Sequence, residues 1–155
     1  MGTKYEVGVN SCTDALIFSL RAAGVQEGDE VITISHTFFA SIEAIVHSGA
    51  TPILIEVGED FLMDMDQLEP AITPQTKAIL PVHLNGRVCD MERLMSIAQK
   101  HNLVVIEDAA QALGAMYNGG KAGSFGLAGC FSFYPAKLLG SAGDGGAVTT
   151  NDERI

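Results

Sequence analysis

Lys137 stands alone between an aromatic, proline-bearing run, CFSFYPA, and a glycine-rich run, GSAGDGGAV. The chain has 9 lysines and arginines in 155 residues, against 19 aspartates and glutamates. A cation in so apolar a turn therefore asks for a reason. A desolvated amine gives up its charge easily, and a neutral amine attacks carbonyl carbon. The position also suits a lysine that lays its stem on apolar surface and keeps its ammonium in water. Asp108 poses the converse question. It follows LVVIE, which reads as a buried strand, and a carboxylate emerging there must find a partner or take up a proton. A structural salt bridge or a cap would satisfy it as well as a ligand would. The third candidate is NSCTDAL, from Asn10 to Leu16, which places hydroxyls and free N–H groups at a helix start. That arrangement favours an anion; it equally serves as plain N-capping by Ser11 or Thr13.

Other chemistries find less support. GSAGDGGA lacks the GK[ST] of a phosphate-binding P-loop, and it precedes a strand rather than opening a helix, so it is no dinucleotide fingerprint. Its glycines suit positive φ and close approach of backbone. His36, His47, His83 and His101 show no metal-ligand spacing, and Cys12, Cys89 and Cys130 form no CxxC pair, so no metal is expected. The three cysteines read as reduced, buried thiols of a cytoplasmic protein. With a formal net charge of -10 and scattered cations, nucleic acid is not an expected partner. No signal peptide opens the chain and no apolar run reaches about 18 residues, so no membrane contact is expected.

Short apolar runs alternate with helical patterns, without repeats or a linker. YEVGVN, EVITIS, TPILIEV, KAILPVHL and LVVIEDAA read as strands. TDALIFSLRAAG reads as a helix with Leu16, Leu20 and Ala23 on one face and Gly24 as its stop. FASIEAIVHSG and DMERLMSIAQKHN are helices, the latter ending on Lys100 and His101, which favour the dipole. DMDQLEPAI is a short helix that Pro70 ends or kinks, and Asp64 and Asp66 suit its cap. This alternation predicts an α/β fold with a mostly parallel central sheet between helices. After Asp108 the rhythm changes: AGCFSFY and GGAVTTN are strands with no helix between them, an antiparallel pair at one side of the sheet. The 47% apolar share suits elements buried on both faces, and also apolar surface that awaits a partner. In such a sheet ligands bind beyond the carboxyl ends of the strands. Those ends carry Ser11 to Thr13, Thr37 and Phe38, His83, Asp108 with Gln111, and Ser132 followed by Lys137.

Taken together, NSCTDAL, GDEVIT, GATPILIEV, AITPQTKAILPVHLNG, VVIEDAAQALGA, GSFGLAGCFSFYPAKLLG and GDGGAVTTND resemble the DegT/DnrJ/EryC1/StrS sugar aminotransferases, in order and over essentially the whole chain. The resemblance implies the aspartate-aminotransferase fold, a three-layer sandwich, and the cofactor pyridoxal 5'-phosphate (PLP). It implies that Lys137 forms the Schiff base with PLP and later moves a proton as general acid/base, and that Asp108 pairs with the pyridine nitrogen. Gln111 matches the glutamine beside the ring oxygen, Ser132 and Thr13 match phosphate ligands, Cys12 contributes backbone in the same turn, and Phe38 matches the aromatic stacked on the ring. His83 occupies a position that borders the site. The amino donor in this family is commonly glutamate or glutamine, and the acceptor is a keto sugar carried on a nucleotide. A related branch with histidine in place of the lysine carries out dehydration, which Lys137 disfavours.

Two positions depart from the family pattern: Cys12 stands where glycine is usual, and Leu138 where asparagine is usual. Family members are also much longer. They carry an N-terminal segment and a C-terminal small domain, and they work as homodimers that share residues between sites. Residues 1–155 are therefore expected to be part of the PLP-binding large domain. The alternative is a non-catalytic remnant that keeps the sheet without a complete site.

Overall fold

The computed structural model describes residues 2–155. In chain order the elements are β1 (Tyr5–Val9), α1 (Cys12–Ala22), β2 (Glu30–Ile34), α2 (Phe39–His47), β3 (Thr51–Ile55), α3 (Met65–Leu68), β4 (Thr76–Ile79), α4 (Met91–Lys100), β5 (Val104–Asp108), the short pair β6 (Met116–Tyr117) and β7 (Gly120–Lys121), β8 (Ala128–Ser132) and β9 (Gly146–Thr150). Seven strands form one sheet in the order β1-β9-β8-β5-β4-β2-β3. β3, β2, β4, β5 and β8 pair in parallel, whereas β9 runs antiparallel to both β8 and β1.

Local chemistry explains most boundaries. Ser11 caps α1 by accepting the Asp14 N–H at 3.1 Å, and Asp90 caps α4 by accepting the Arg93 N–H at 3.1 Å. Asp64 caps α3, accepting the Asp66 N–H at 2.9 Å. The segment DMDQLEPAI divides, because Pro70 lacks an N–H: α3 ends at Leu68 and a 3-10 turn covers Glu69–Ala71. The central strands are rich in β-branched residues and buried on both faces, as in EVITI and VVIED.

The chain moves outward from β2 to β3, then back past β2 to β4 and β5. Right-handed crossovers place α2 on one face of the sheet and α4 on the other. α1 packs beside α2 and over β8 and β9, which completes three layers.

The expected antiparallel strands lie where the rhythm of the sequence changes. β1 differs from its reading as the first strand of a βαβ unit. It sits at the sheet edge against β9, with four strands between it and β2, and its residues are mostly exposed. Its direction matches the parallel set only because two antiparallel pairings intervene. No helix among the described residues is long and apolar enough to cross a membrane.

Candidate active site

Because β1, β2, β4, β5 and β8 all run the same way, their carboxyl ends meet along one edge of the sheet. β9 runs against them, so the residues just before it reach the same edge. There they enclose a cleft of about 370 Å³ whose lining includes Cys12, Thr13, Phe38, Asp108, Gln111, Ser132 and Lys137. These seven residues expected from the sequence are therefore at one place, and His83 is not among them. Tyr134 and Asp144 also line it. Asp144 belongs to the glycine-rich run and arrives because β9 is antiparallel, the direction expected for GGAVTTN.

One end of the cleft is built from the start of α1. Ser11 takes the capping role, which leaves the Thr13 hydroxyl to face the cleft. Ser132 Oγ accepts the Tyr134 N–H at 3.3 Å, so its own proton is free for a ligand. With the dipole of an 11-residue helix behind them, these groups could hold an anion. The Cys12 thiol is raised well above its ordinary value by burial first and by Asp108 next. It stays a thiol despite its place at a helix start.

Asp108 forms the opposite wall. It is 5% exposed. Its Oδ2 accepts the Ser41 hydroxyl at 2.8 Å and its Oδ1 accepts the Ala110 N–H at 3.2 Å. Thr37 Oγ1 lies 2.8 Å from Ser41 Oγ, so the Ser41 proton is committed to Asp108 and Thr37 donates to Ser41. Burial raises the Asp108 carboxyl above its ordinary value, against the opposing pull of these hydrogen bonds and of the Lys137 charge. Ser41 escaped sequence reasoning. Its signal was a buried polar residue on the otherwise apolar face of α2, four residues after Thr37.

Lys137 sits in a tight turn closed by its own N–H donating to Tyr134 O at 2.8 Å. A Cβ on Gly140 would come within 2.5 Å of Pro135 O, so only glycine lets the turn fold back this closely. Ser141 Oγ donates to Phe133 O at 2.8 Å and fixes the base of the turn. Phe38, at the N-cap of α2, is 73% exposed at the cleft.

His83 does not border the cleft. Neighbouring residues of a strand face opposite sides of the sheet, and its ring turns to the side away from Asp108. There Nε2 lies 2.9 Å from Glu107 Oε2, and both side chains are fully buried. Nδ1 accepts the Cys89 N–H at 3.3 Å. Burial resists a second proton on the ring, while Cys89 and the Glu107 carboxylate favour one, a net upward pull. The Cys89 N–H aimed at Nδ1 decides for the neutral Nε2–H form. Glu107 also accepts the N–H groups of Gly123, Phe125 and Gly126, each at 2.7 Å.

The raised pKa of Asp108 has a consequence for stability. A carboxyl whose folded pKa lies above its unfolded value of 3.8 costs stability as pH rises through the folded pKa, and the full cost applies above it. Asn at this position still accepts from Ala110 and can donate to Ser41 Oγ, which then donates to Thr37. Asp108→Asn is therefore expected to raise the unfolding free energy of the cofactor-free chain at pH 7, by on the order of 1 kcal/mol. The gain should vanish below about pH 4, where Asp108 is neutral in both states. Urea midpoints at the two pH values check this; an equal gain at both would reject the assignment.

A sequence model of the DegT/DnrJ/EryC1/StrS aminotransferase family matches residues 1–155. The chain belongs to this family. A relative from Acidithiobacillus ferrooxidans, UDP-N-acetyl-3-dehydro-alpha-D-glucosamine 3-aminotransferase, is 53% identical over 155 residues, which are 99% of this chain and 42% of the relative. The crystal structure of DesV from S. venezuelae, in complex with a ketimine intermediate, superposes with a TM-score of 0.95 at 51% identity and covers 98% of this chain and 41% of its own. The PLP form of Spr1654 from Streptococcus pneumoniae gives a TM-score of 0.91 at 38% identity, covering 99% of this chain and 43% of its own. The chain thus spans about two-fifths of the length of these relatives. Family members are aminotransferases, and solved structures of the fold carry PLP or its aminated form, PMP.

Proposed function

We propose that this chain is the PLP-binding large-domain portion of an aminotransferase that moves an amino group from an amino acid, glutamate or glutamine, to a keto sugar carried on a nucleotide. One observation carries the reading: a single cleft gathers a lysine, a buried carboxylate and a helix N-terminus. The donor set fits the cofactor. An anion site at one end suits the phosphate, a carboxylate with lone pairs to spare suits a protonated ring nitrogen, and a nearby amine suits the aldehyde.

Bound PLP supplies an electron-withdrawing ring that stabilises negative charge on the α-carbon of the amino donor. The chain's own residues do the rest. Lys137 anchors the cofactor through Nζ and, once released, carries a proton on that atom as general acid/base. Asp108 holds a proton on the ring nitrogen, and Ser41 and Ala110 hold Asp108 in place. Thr13, Ser132 and the first N–H groups of α1 grip the phosphate, with Cys12 supplying backbone to the same turn. Phe38 flanks the ring and Gln111 faces its oxygen. These fixed contacts supply orientation, a large part of the rate in such sites.

Phe38, Phe39, Tyr134, Leu138 and Leu139 are all exposed in the segments that form the cleft rim, Leu138 by 82%. So apolar a rim supports a homodimer in which a second copy covers it. The cysteines are free and buried, in keeping with a cytoplasmic protein. A second reading, retention of the sheet without turnover, draws on the chain's two-fifths share of its relatives' length.

The two readings separate spectroscopically. Purified chain mixed with PLP should develop a visible absorption band that depends on Lys137. The band should change when glutamate or glutamine is added, and it should return when a nucleotide-linked keto sugar follows. A band that never responds to a donor supports the second reading.

Gly146 gives an independent check on the phosphate end. A Cβ there would come within 2.4 Å of Ser11 C and 2.7 Å of Cys12 N, pressing on the start of α1 from β9. Gly146→Ala is expected to weaken PLP binding by about tenfold or more, with a stability cost of about 1–3 kcal/mol. Fluorescence titration and urea melts measure both. Unchanged affinity would remove this turn from the phosphate site.

A further inference from the structure

Gln111 lines the cleft, but the residue that orients it does not. The segment after β4 turns sharply at Asn85 (φ 55, ψ 27) and Gly86 (φ 75), two successive residues in the left-handed region. The turn is held from behind by His83, whose ring is tied to Glu107. It is held from the side by packing on Gln111: a Cβ on Gly86 would lie 3.3 Å from Gln111 O. In this geometry the Asn85 N–H donates to Gln111 Oε1 at 2.8 Å. An amide has one carbonyl and one NH2 group. With the carbonyl engaged outside the cleft, the NH2 group is the end left for a ligand.

We propose that Asn85 is a positioning residue. Its N–H fixes the amide of Gln111 so that Gln111 offers the cleft a donor, and the group opposite is an acceptor, the deprotonated ring oxygen of PLP. The proposal rests on PLP occupying the cleft. The effect is to favour one protonation state of the ring oxygen before any substrate arrives. Left-handed backbone is the means. Asparagine and glycine adopt it readily, and a β-branched residue does so only with strain.

Two measurements on the 155-residue chain test this. The first uses no cofactor. In NMR hydrogen exchange the Asn85 amide should exchange about tenfold faster in Gln111→Leu than in wild type, as expected for loss of one hydrogen bond. Equal rates would show that the bond is not made. The second uses PLP. Its visible and near-ultraviolet bands report the protonation of the ring oxygen. Asn85→Val, which strains the turn and withdraws the N–H, should lower the visible to near-ultraviolet ratio by about threefold, worth roughly 0.7 kcal/mol. Asn85→Gly keeps both the N–H and the left-handed backbone and should restore the wild-type ratio. In a Gln111→Leu background, Asn85→Val should change nothing further. Should Asn85→Val fail to fold, Gln111→Glu replaces it: this side chain still accepts from Asn85 but offers the cleft no donor, so the ratio should fall equally. An unchanged ratio, or weaker PLP binding at an unchanged ratio, would assign Asn85 a structural role only. Absence of any Lys137-dependent band in wild type would instead remove PLP from the cleft, and the proposal with it.

Discussion

Lys137→Ala is expected to eliminate the visible band of the chain with PLP and to lower amino transfer in the assembled enzyme by at least about 10³-fold, since one group is lost from both covalent attachment and proton transfer. The change is unusually clean to interpret. Lys137 is half-buried in a surface turn whose closing hydrogen bond uses its backbone N–H, and alanine keeps that bond. Substitutions of this kind alter stability by only about 0.5 kcal/mol, so a lost band reports lost chemistry. Equilibrium dialysis should show PLP still held by the anion site and Asp108, with reduced affinity. A small primary amine added to the variant should return part of the activity by replacing Nζ as proton carrier. Retention of the full band in Lys137→Ala would move the covalent attachment to another lysine and overturn the active-site assignment.

The second large effect concerns stability. Glu107→Ala is expected to cost about 3–5 kcal/mol, because buried donors left without an acceptor cost about 1–3 kcal/mol each. The four donors facing Glu107 explain the size: His83 Nε2 and the N–H groups of Gly123, Phe125 and Gly126 would all lose their acceptor in a space closed to water. The loop they belong to cannot relax far. A Cβ on Gly129 would come within 2.2 Å of Gly123 Cα, and one on Gly126 within 2.5 Å of Val105 O, so loop and sheet touch backbone to backbone. Domains of this size have about 5–15 kcal/mol in all, and a melting shift of roughly 6–20 °C follows from this loss. Glu107→Gln should fall between wild type and alanine, because one carbonyl remains while its NH2 group meets N–H donors. Thermal and urea unfolding measure the series. A loss below about 1 kcal/mol for Glu107→Ala would show that the loop finds other partners, and that the pair is not what holds it.

Much of this was legible in order along the chain. Strand and helix alternation follows from side-chain periodicity, a local property. Caps follow from Ser11 and Asp64, whose side chains reach N–H groups three and two residues away. The candidate residues Lys137, Asp108, Thr13, Ser132, Gln111 and Phe38 could be named because parallel strands bring their carboxyl ends to one edge whatever their order in the sheet.

Strand order and facing were not legible. The sequence reads β1 as the opening strand of a parallel unit, yet it pairs at the edge with β9, since strand pairing between residues 5 and 150 leaves no trace in either segment alone. That pairing, with the reversal at β9, is also what carries Asp144 to the cleft. His83 stands at a strand end like the others, but facing alternates along the sheet, and its ring meets Glu107 on the side away from Asp108. By itself, then, the sequence determined which residues could do chemistry and which elements would carry them. Only the tertiary structure decided which side each faced and what held them there, because those choices depend on contacts between segments far apart in the chain.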